Sequence, residues 1–255
     1  MAMMRCISPA ADLRAAPDLS MSIEDQLLFG QNFEVLKTQD GWHQGRAIGV
    51  WGEPYYEGWV EAMHFGEDVA PTHKVSSLRA PVFSRADIKS PVMMTLSLGS
   101  RLAAKTHDDE FYSIEQGYIH VNHVGALSES SGDYTAIAEQ YLLLPYIWGG
   151  KSADGVDCSG LVQNAIWAAG YSCPRDSGPQ SREIGEAVPI TDEFENLMRG
   201  DLVFWPGHVA IMIDGSWIIH ANAHHMMTQI EPLAVAVERI KKSAGDVTSI
   251  RRIML

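Results

Sequence analysis

The chain has 255 residues, 46% of them hydrophobic, and a formal charge of −13. That is enough apolar material for more than one compact core, while the acidic balance speaks against nucleic acid and anionic membrane as partners, since both need a basic surface. Three cysteines, Cys6, Cys158 and Cys173, are no disulfide framework and suit a reducing compartment.

Residues 1–20 contain Pro9, Asp12, Arg14 and Pro17, which interrupt the apolar run that a signal peptide needs. They are expected to form an irregular lead-in that packs across something else or frays. No run approaches the ~20 apolar residues of a membrane span, so the expectation is a soluble, cytoplasmic protein. From Ile23 the texture is all-β. Gln26-Leu-Leu-Phe-Gly30, Asn32–Thr38, a turn at Gln39-Asp40-Gly41, Trp42–Arg46 and Tyr56-Glu-Gly-Trp-Val60 read as a small barrel over 21–72. A weaker second copy, over 73–126, is carried by Pro81–Ser84, Leu98–Leu102, Phe111–Ile114 and Gly117–Val124. The polar stretch Gly125–Asp133 marks the next boundary.

Residues 127–255 change texture. Tyr134–Leu144 predicts a short amphipathic helix that Pro145 stops. After a glycine-rich loop, Leu161, Val162, Ala165, Ile166 and Ala169 recur at helical spacing, and Gly170 ends the helix. Cys158 opens it. There the helix dipole and unpaired amides favour negative charge and ease ionisation of a thiol. The thiolate is a nucleophile, and the same amides can receive an oxyanion. Cys173, in the turn-rich Cys173–Pro179, has no base nearby in sequence and reads as structural. Gln180–Ala187 is expected to be helical and Val188–Asn196 a connecting arm.

Apolar runs broken by Pro206-Gly207 and Asp214-Gly215 predict three antiparallel strands within Arg199–Ala223. His208 opens the second and His220 lies near the end of the third, which with Cys158 makes a nucleophile, a base and an orienter. A two-residue turn would send the histidines to opposite faces. A three-residue loop, Asp214-Gly215-Ser216, sets His220 opposite Ala210 on the face of His208, and such loops normally hold a left-handed glycine. His220, His224 and His225 do not complete a metal's ligand set, so no metal or other cofactor is expected. The tail, Val247–Leu255, ends as an apolar strand.

The order Tyr-x-Trp-Gly-Gly, Asp-Cys-Ser-Gly-Leu-Val, Gly-Asp-Leu-Val-Phe, His-Val-Ala-Ile and Ile-Ile-His-Ala, over 134–225, resembles the NlpC family of bacterial papain-like cysteine peptidases, which cut cell-wall peptides. The Leu-Leu-Phe-Gly and Tyr-x-Gly-Trp-Val segments resemble a bacterial SH3-like domain. The fold class implied is α+β, a papain-like cysteine peptidase domain (127–255) preceded by two small all-β SH3-like barrels. The resemblance makes Cys158 the nucleophile, His208 the base and His220 its orienter. It also implies a substrate: a cell-wall stem tripeptide or tetrapeptide with a free N-terminal L-Ala, cut between γ-D-Glu and meso-diaminopimelate or L-Lys during peptidoglycan recycling, by a monomer.

By motif match, Tyr146, Trp148, Asp157, Ser159 and Ser177 line the substrate pocket and Tyr56 closes its amino end, with Glu24 or Asp25 as carboxylate partner of the amine. The residues themselves leave Asp157 open between helix cap and ligand contact, Trp148 between core and wall, and Ser177 between turn and anchor. Cys–His–His also suits an amidase or acyltransferase. Two further readings are an inert wall-binding module and a secreted or general wall endopeptidase.

Overall fold

The computed structural model describes residues 2–254. Contacts divide the chain into two compact units. One holds the residues up to Glu129 together with Trp148–Ala153; the other holds Ser130–Ile147 and everything from Asp154 onward.

The first unit is all-β apart from single turns of 3-10 helix. Its seven-stranded sheet runs Ile23–Leu28, Ala10–Arg14, Pro54–Glu61, Trp42–Ile48, Asn32–Gln39, Ala2–Cys6, Phe65–Glu67. The expected lead-in is therefore two paired strands. Ala10–Arg14 alternates, with Ala11 and Leu13 buried in the core, while the outward Asp12 and Arg14 form an ion pair at 2.7 Å. The charges that interrupt the apolar run are the half-buried, ion-paired face of a period-two strand. Leu27, Phe33, Val35, Ala47, Val60 and Phe65 complete this core.

A second core, of Val75, Ala80, Val82, Leu96, Leu102, Ala104 and Ile119 with Phe29, lies within the same unit. It belongs to a five-stranded sheet, Val92–Ser97, Arg79–Phe83, Gly117–His120, Phe111–Ile114, Lys105–Thr106, and a three-stranded one, Arg101–Leu102, His73–Val75, Val124–Ala126. The two cores are stitched through Arg101, whose amide donates to Phe29 O at 2.8 Å and whose guanidinium donates to Val50 O at 2.7 Å.

The second unit mixes α and β. Its six-stranded sheet runs Glu186–Ala187, Ser249–Arg252, Leu202–Trp205, His208–Met212, Trp217–Asn222, Met227–Pro232. The helix Cys158–Ala168 packs against the strands His208–Met212 and Trp217–Asn222. Val203, Trp205, Ala210, Met212 and Ile218 form one core with Leu233, Ala236 and Ile240 of a helix, Leu233–Ala244, that follows the last hairpin strand.

Two predicted helices shift. The first spans only Tyr134–Glu139, started by Asp133, whose carboxylate accepts from Ala136 N at 3.0 Å. Beyond Glu139 it tightens, with Gln140, Tyr141 and Leu142 N each donating three residues back, and it breaks at left-handed Leu143 (φ 67°), where Leu143 N donates to Thr228 O and Thr228 N to Leu144 O. The second spans Ser177–Glu183 rather than 180–187. Gly185 turns left-handed (φ 49°), and Glu186–Ala187 joins the sheet beside Ser249–Arg252. The terminal strand is Ser249–Arg252; Leu255 lies outside the described residues.

Candidate active site

Cys158 is the first residue of its helix, and Asp157 is the cap. The Asp157 carboxylate accepts from Gly160 N at 2.6 Å, a contact worth about 1 kcal/mol in typical helices. Arg175, buried in the following turn, grips the same carboxylate bidentately (3.0 and 2.7 Å) and donates to Ser159 Oγ at 2.9 Å. Gln180 secures this arrangement by donating to Ser159 O (3.0 Å) and Pro174 O (2.9 Å). Bidentate guanidinium–carboxylate pairing fixes direction as well as distance, so the turn at the start of the helix is held rigidly.

The thiol itself does not follow the sequence expectation. Burial pushes Cys158 up to about 12; Asp157 adds to this, and the amides of Val209 and Ser159 with Arg175 only partly offset it. The helix start is a favourable place for a thiolate, but loss of water outweighs it. The Val209 amide that donates to Cys158 belongs to the residue after His208, which ties the thiol to the beginning of the His208 strand.

The hairpin has the odd loop that the sequence requires. Ile211 pairs with Ile219 and Met212 with Ile218, which leaves Asp214-Gly215-Ser216 as the loop and sets Ala210 against His220. Gly215 is not left-handed. Instead the Asp214 carboxylate closes the loop, accepting from Ser216 N at 2.7 Å and Trp217 N at 2.8 Å. With this register His208 and His220 share a face, and His208 Nε2 lies 2.8 Å from His220 Nδ1. Fully buried His220 continues through Nε2 to Glu231 Oε1 at 2.7 Å, and Arg239 donates to that same oxygen.

Burial depresses His208 to about 3, with the neighbouring His220 and Arg239 adding to the effect and Glu231 opposing it. Burial also lowers His220, against the pull of Glu231. Burial thus disfavours the charged forms of both the thiol and the imidazoles; making the thiolate nucleophile moves the Sγ proton to an imidazole lone pair.

Residues 144–241 match the model of the NlpC/P60 family. The chain carries an NlpC/P60 domain. It is 28% identical to dipeptidyl-peptidase 6 of Lysinibacillus sphaericus over 85% of this chain and 86% of that one. It is also 28% identical to the gamma-D-glutamyl-L-lysine dipeptidyl-peptidase of Bacillus subtilis (strain 168), over 78% and 72% respectively. A crystal structure of an NlpC/P60 family protein from Bacillus cereus ATCC 10987 superposes over the whole of both chains with a TM-score of 0.80 at 23% identity, which supports the fold. The chain is a cysteine peptidase, a hydrolase.

Within the NlpC/P60 domain the structure brings together Cys158, Asp157, Ser159 and Tyr146. Burial raises the Tyr146 phenol, and the charges of Cys158 and Asp157 raise it further; its backbone amide donates to Met226 O at 3.0 Å. Asp157 and Ser159 are engaged by Arg175, which sequence reasoning missed. Its only trace was a lone arginine in an otherwise turn-like Cys173–Pro179. Ser177 begins the helix Ser177–Glu183 and is half-buried. Glu231 and Arg239 were missed too, because they come from the strand and helix after the legible motifs. His220, His225 and Glu231 bring ligand atoms within 4.8 Å of one another. The Arg239 guanidinium on the Glu231 oxygen opposes a cation there.

Trp148 belongs to the first unit and is 64% exposed, not a core aromatic. It opens a strap, Trp148–Ala153, that is built into that unit. Gly149 is left-handed, and a side chain there would collide with Ile23 O. The amides of Lys151 and Ser152 donate to Gln26 Oε1 (2.9 and 3.2 Å), and Ala153 N donates to Ser97 Oγ (2.8 Å). Lys151 is fully buried, with Nζ 3.2 Å from Asp25 Oδ2 and 2.7 Å from Tyr55 Oη; Tyr55 in turn donates to Asp25 at 2.5 Å. Of the two carboxylates considered for a substrate amine, Asp25 is fully buried in this cluster. Glu24 is half-buried and accepts from Ser22 Oγ at 3.1 Å. Tyr56, half-buried, packs against the core beside Tyr55 at a ring distance of 6.5 Å.

Proposed function

We propose that the protein hydrolyses the bond between γ-D-Glu and the following diamino acid, L-Lys or meso-diaminopimelate, in cell-wall stem peptides that carry a free N-terminal L-Ala. In this reading it is a cytoplasmic monomer of peptidoglycan recycling, and the two β-cores of the first unit are SH3-like barrels. What carries the reading is the relatedness, over most of both chains, to a gamma-D-glutamyl-L-lysine dipeptidyl-peptidase. Among the described residues no helix is long and apolar enough to cross a membrane.

Cys158 Sγ attacks the γ-glutamyl carbonyl while its proton passes to His208, and His220 holds the His208 ring. The Cys158 amide, at the helix start, donates to the oxyanion of the tetrahedral intermediate. His208 returns its proton to the departing amine, and water then releases the acyl group from sulfur. Tyr146, Trp148, Ser159 and Ser177 are the proposed peptide contacts, with Asp157 acting through its hold on the helix start as well. Tyr56 and Glu24 are assigned to the substrate ammonium.

Mass spectrometry of L-Ala-γ-D-Glu-diamino-acid tripeptide, beside its N-acetylated twin and a Cys158→Ala control, tests this. Release of L-Ala-γ-D-Glu from the free peptide only, and none by the variant, is expected. Cleavage of both peptides would replace the reading with a general wall endopeptidase and remove Tyr56 and Glu24 from it.

A further inference from the structure

The His208–His220 pair has no direction of its own. Each neutral imidazole carries one proton, and the 2.8 Å contact between His208 Nε2 and His220 Nδ1 accommodates it on either nitrogen. In one arrangement His208 donates and keeps a lone pair on Nδ1. In the other it accepts and carries its proton on Nδ1, where it cannot take a proton from a thiol.

We propose that Glu231 is a positioning residue that selects the first arrangement, making the site a relay of four groups, Cys158, His208, His220 and Glu231, anchored by Arg239. The inference rests on reading His208 as the base. A carboxylate has no proton to give, so the hydrogen between Glu231 Oε1 and His220 Nε2, 2.7 Å apart, belongs to His220. Its Nδ1 is then a lone pair and must accept, and His208 Nε2 must donate. The free lone pair therefore sits on His208 Nδ1. Arg239, donating to the same Glu231 oxygen, keeps the carboxylate ionised and aimed. Although burial opposes ionisation of Glu231, His220 and Arg239 together hold its carboxyl below the usual range.

The elements around the pair contribute few other charges. His225 comes from the turn before the strand Met227–Pro232, Glu231 from that strand, Arg239 from the helix Leu233–Ala244, and Cys158 with Asp157 and Arg175 from the nucleophile's helix and turn. Among these groups only Glu231 is bonded to His220 Nε2 as an acceptor. Because Arg239 balances much of its charge, what Glu231 supplies is chiefly an acceptor oxygen. A glutamine can supply that as well; a methionine cannot.

The test uses the full chain with Glu231→Gln and Glu231→Met. Imidazole nitrogen-15 shifts of His208 and His220 read the tautomers directly and need no substrate, so they separate this inference from any error about the peptide cleaved. Wild type and Glu231→Gln are expected to show the proton of each histidine on Nε2. Glu231→Met is expected to show a mixture. Its kcat should fall on the order of 100-fold per active site titrated with a thiol alkylator, with KM within about twofold, and the pH profile of alkylation should change. Glu231→Gln should recover most of that loss. A His208 proton on Nδ1 in the wild type overturns the proposal. So does a Met variant whose tautomers and pH profile match wild type while only its folded fraction drops, and so do equal losses in both variants, which would make charge rather than the acceptor the operative property.

Discussion

Lys151 with Asp25 in the first unit, and His208 with His220 in the second, are polar pairs withdrawn from water by opposite means. The first is an ammonium against a carboxylate, 3.2 Å apart and fully buried, with the Tyr55 hydroxyl between them. The second is two imidazoles pushed by burial toward their neutral forms. A buried ion pair makes separation costly and so fixes the course of a chain segment, here the strap Trp148–Ala153. A buried neutral pair leaves a lone pair available, so it can receive a proton when chemistry demands one. Holding and reacting therefore use different states of ionisation inside one protein.

The strongest way to break this contrast is to remove the ammonium. Lys151→Met takes the cation from a buried carboxylate, and the expected loss is about 3–5 kcal/mol of stability, read by urea unfolding. Asp25→Leu combined with Lys151→Met should recover much of it, because neither charge then stays behind. A single variant as stable as wild type would mean the pair is no latch.

Acid should act on the histidines. Their folded affinity for protons is below that of the unfolded chain, so as pH falls below about 6.5 the unfolded state takes up protons first and stability declines. The slope is about 1.4 kcal/mol per pH unit for each such histidine, persisting for His208 toward pH 3. His43 and His123, lowered chiefly by burial, add to it in the same direction. Thermal melts from pH 7 to 5 check this, and His208→Gln should flatten the slope. An unchanged slope in that variant would show that His208 is not held neutral.

The smallest effect sharpens the comparison from outside. Arg199 pairs with Glu139 at 2.8 Å and Asp133 at 3.2 Å, but all three side chains are more than a third exposed. Arg199→Ala should shift stability by no more than about 1 kcal/mol in the same unfolding assay. A loss matching that of Lys151→Met would remove burial as the distinguishing property.

What could be read from the sequence was what repeats locally. The Cys158 helix shows its 3.6-residue spacing over Leu161–Ala169, and the hairpin register follows from alternation once both histidines must share a face. Even there the loop was closed by Asp214 and not by a left-handed glycine. The readings that failed concern partners distant in the chain. Ala10–Arg14 has only two inward side chains, both apolar, and becomes a strand through neighbours at Ile23–Leu28 and Trp59. The Tyr134 helix tightens after Glu139 and is stopped at left-handed Leu143, which pairs with the distant Thr228. Arg175, Glu231, Arg239 and Lys151 are charged residues whose local pattern does not set them apart from surface charges. Nothing in their local sequence says which carboxylate or imidazole each will meet.

The strap has one more consequence, for how such chains can be rearranged. The chain changes unit at 129/130, at 147/148 and again at 153/154. A recombination joint at the first of these would carry the catalytic half into a new protein together with six residues fitted to the old partner's Gln26, Asp25 and Tyr55. A graft of the catalytic half that leaves those six residues behind has to rejoin Ile147 to Asp154 by a new segment.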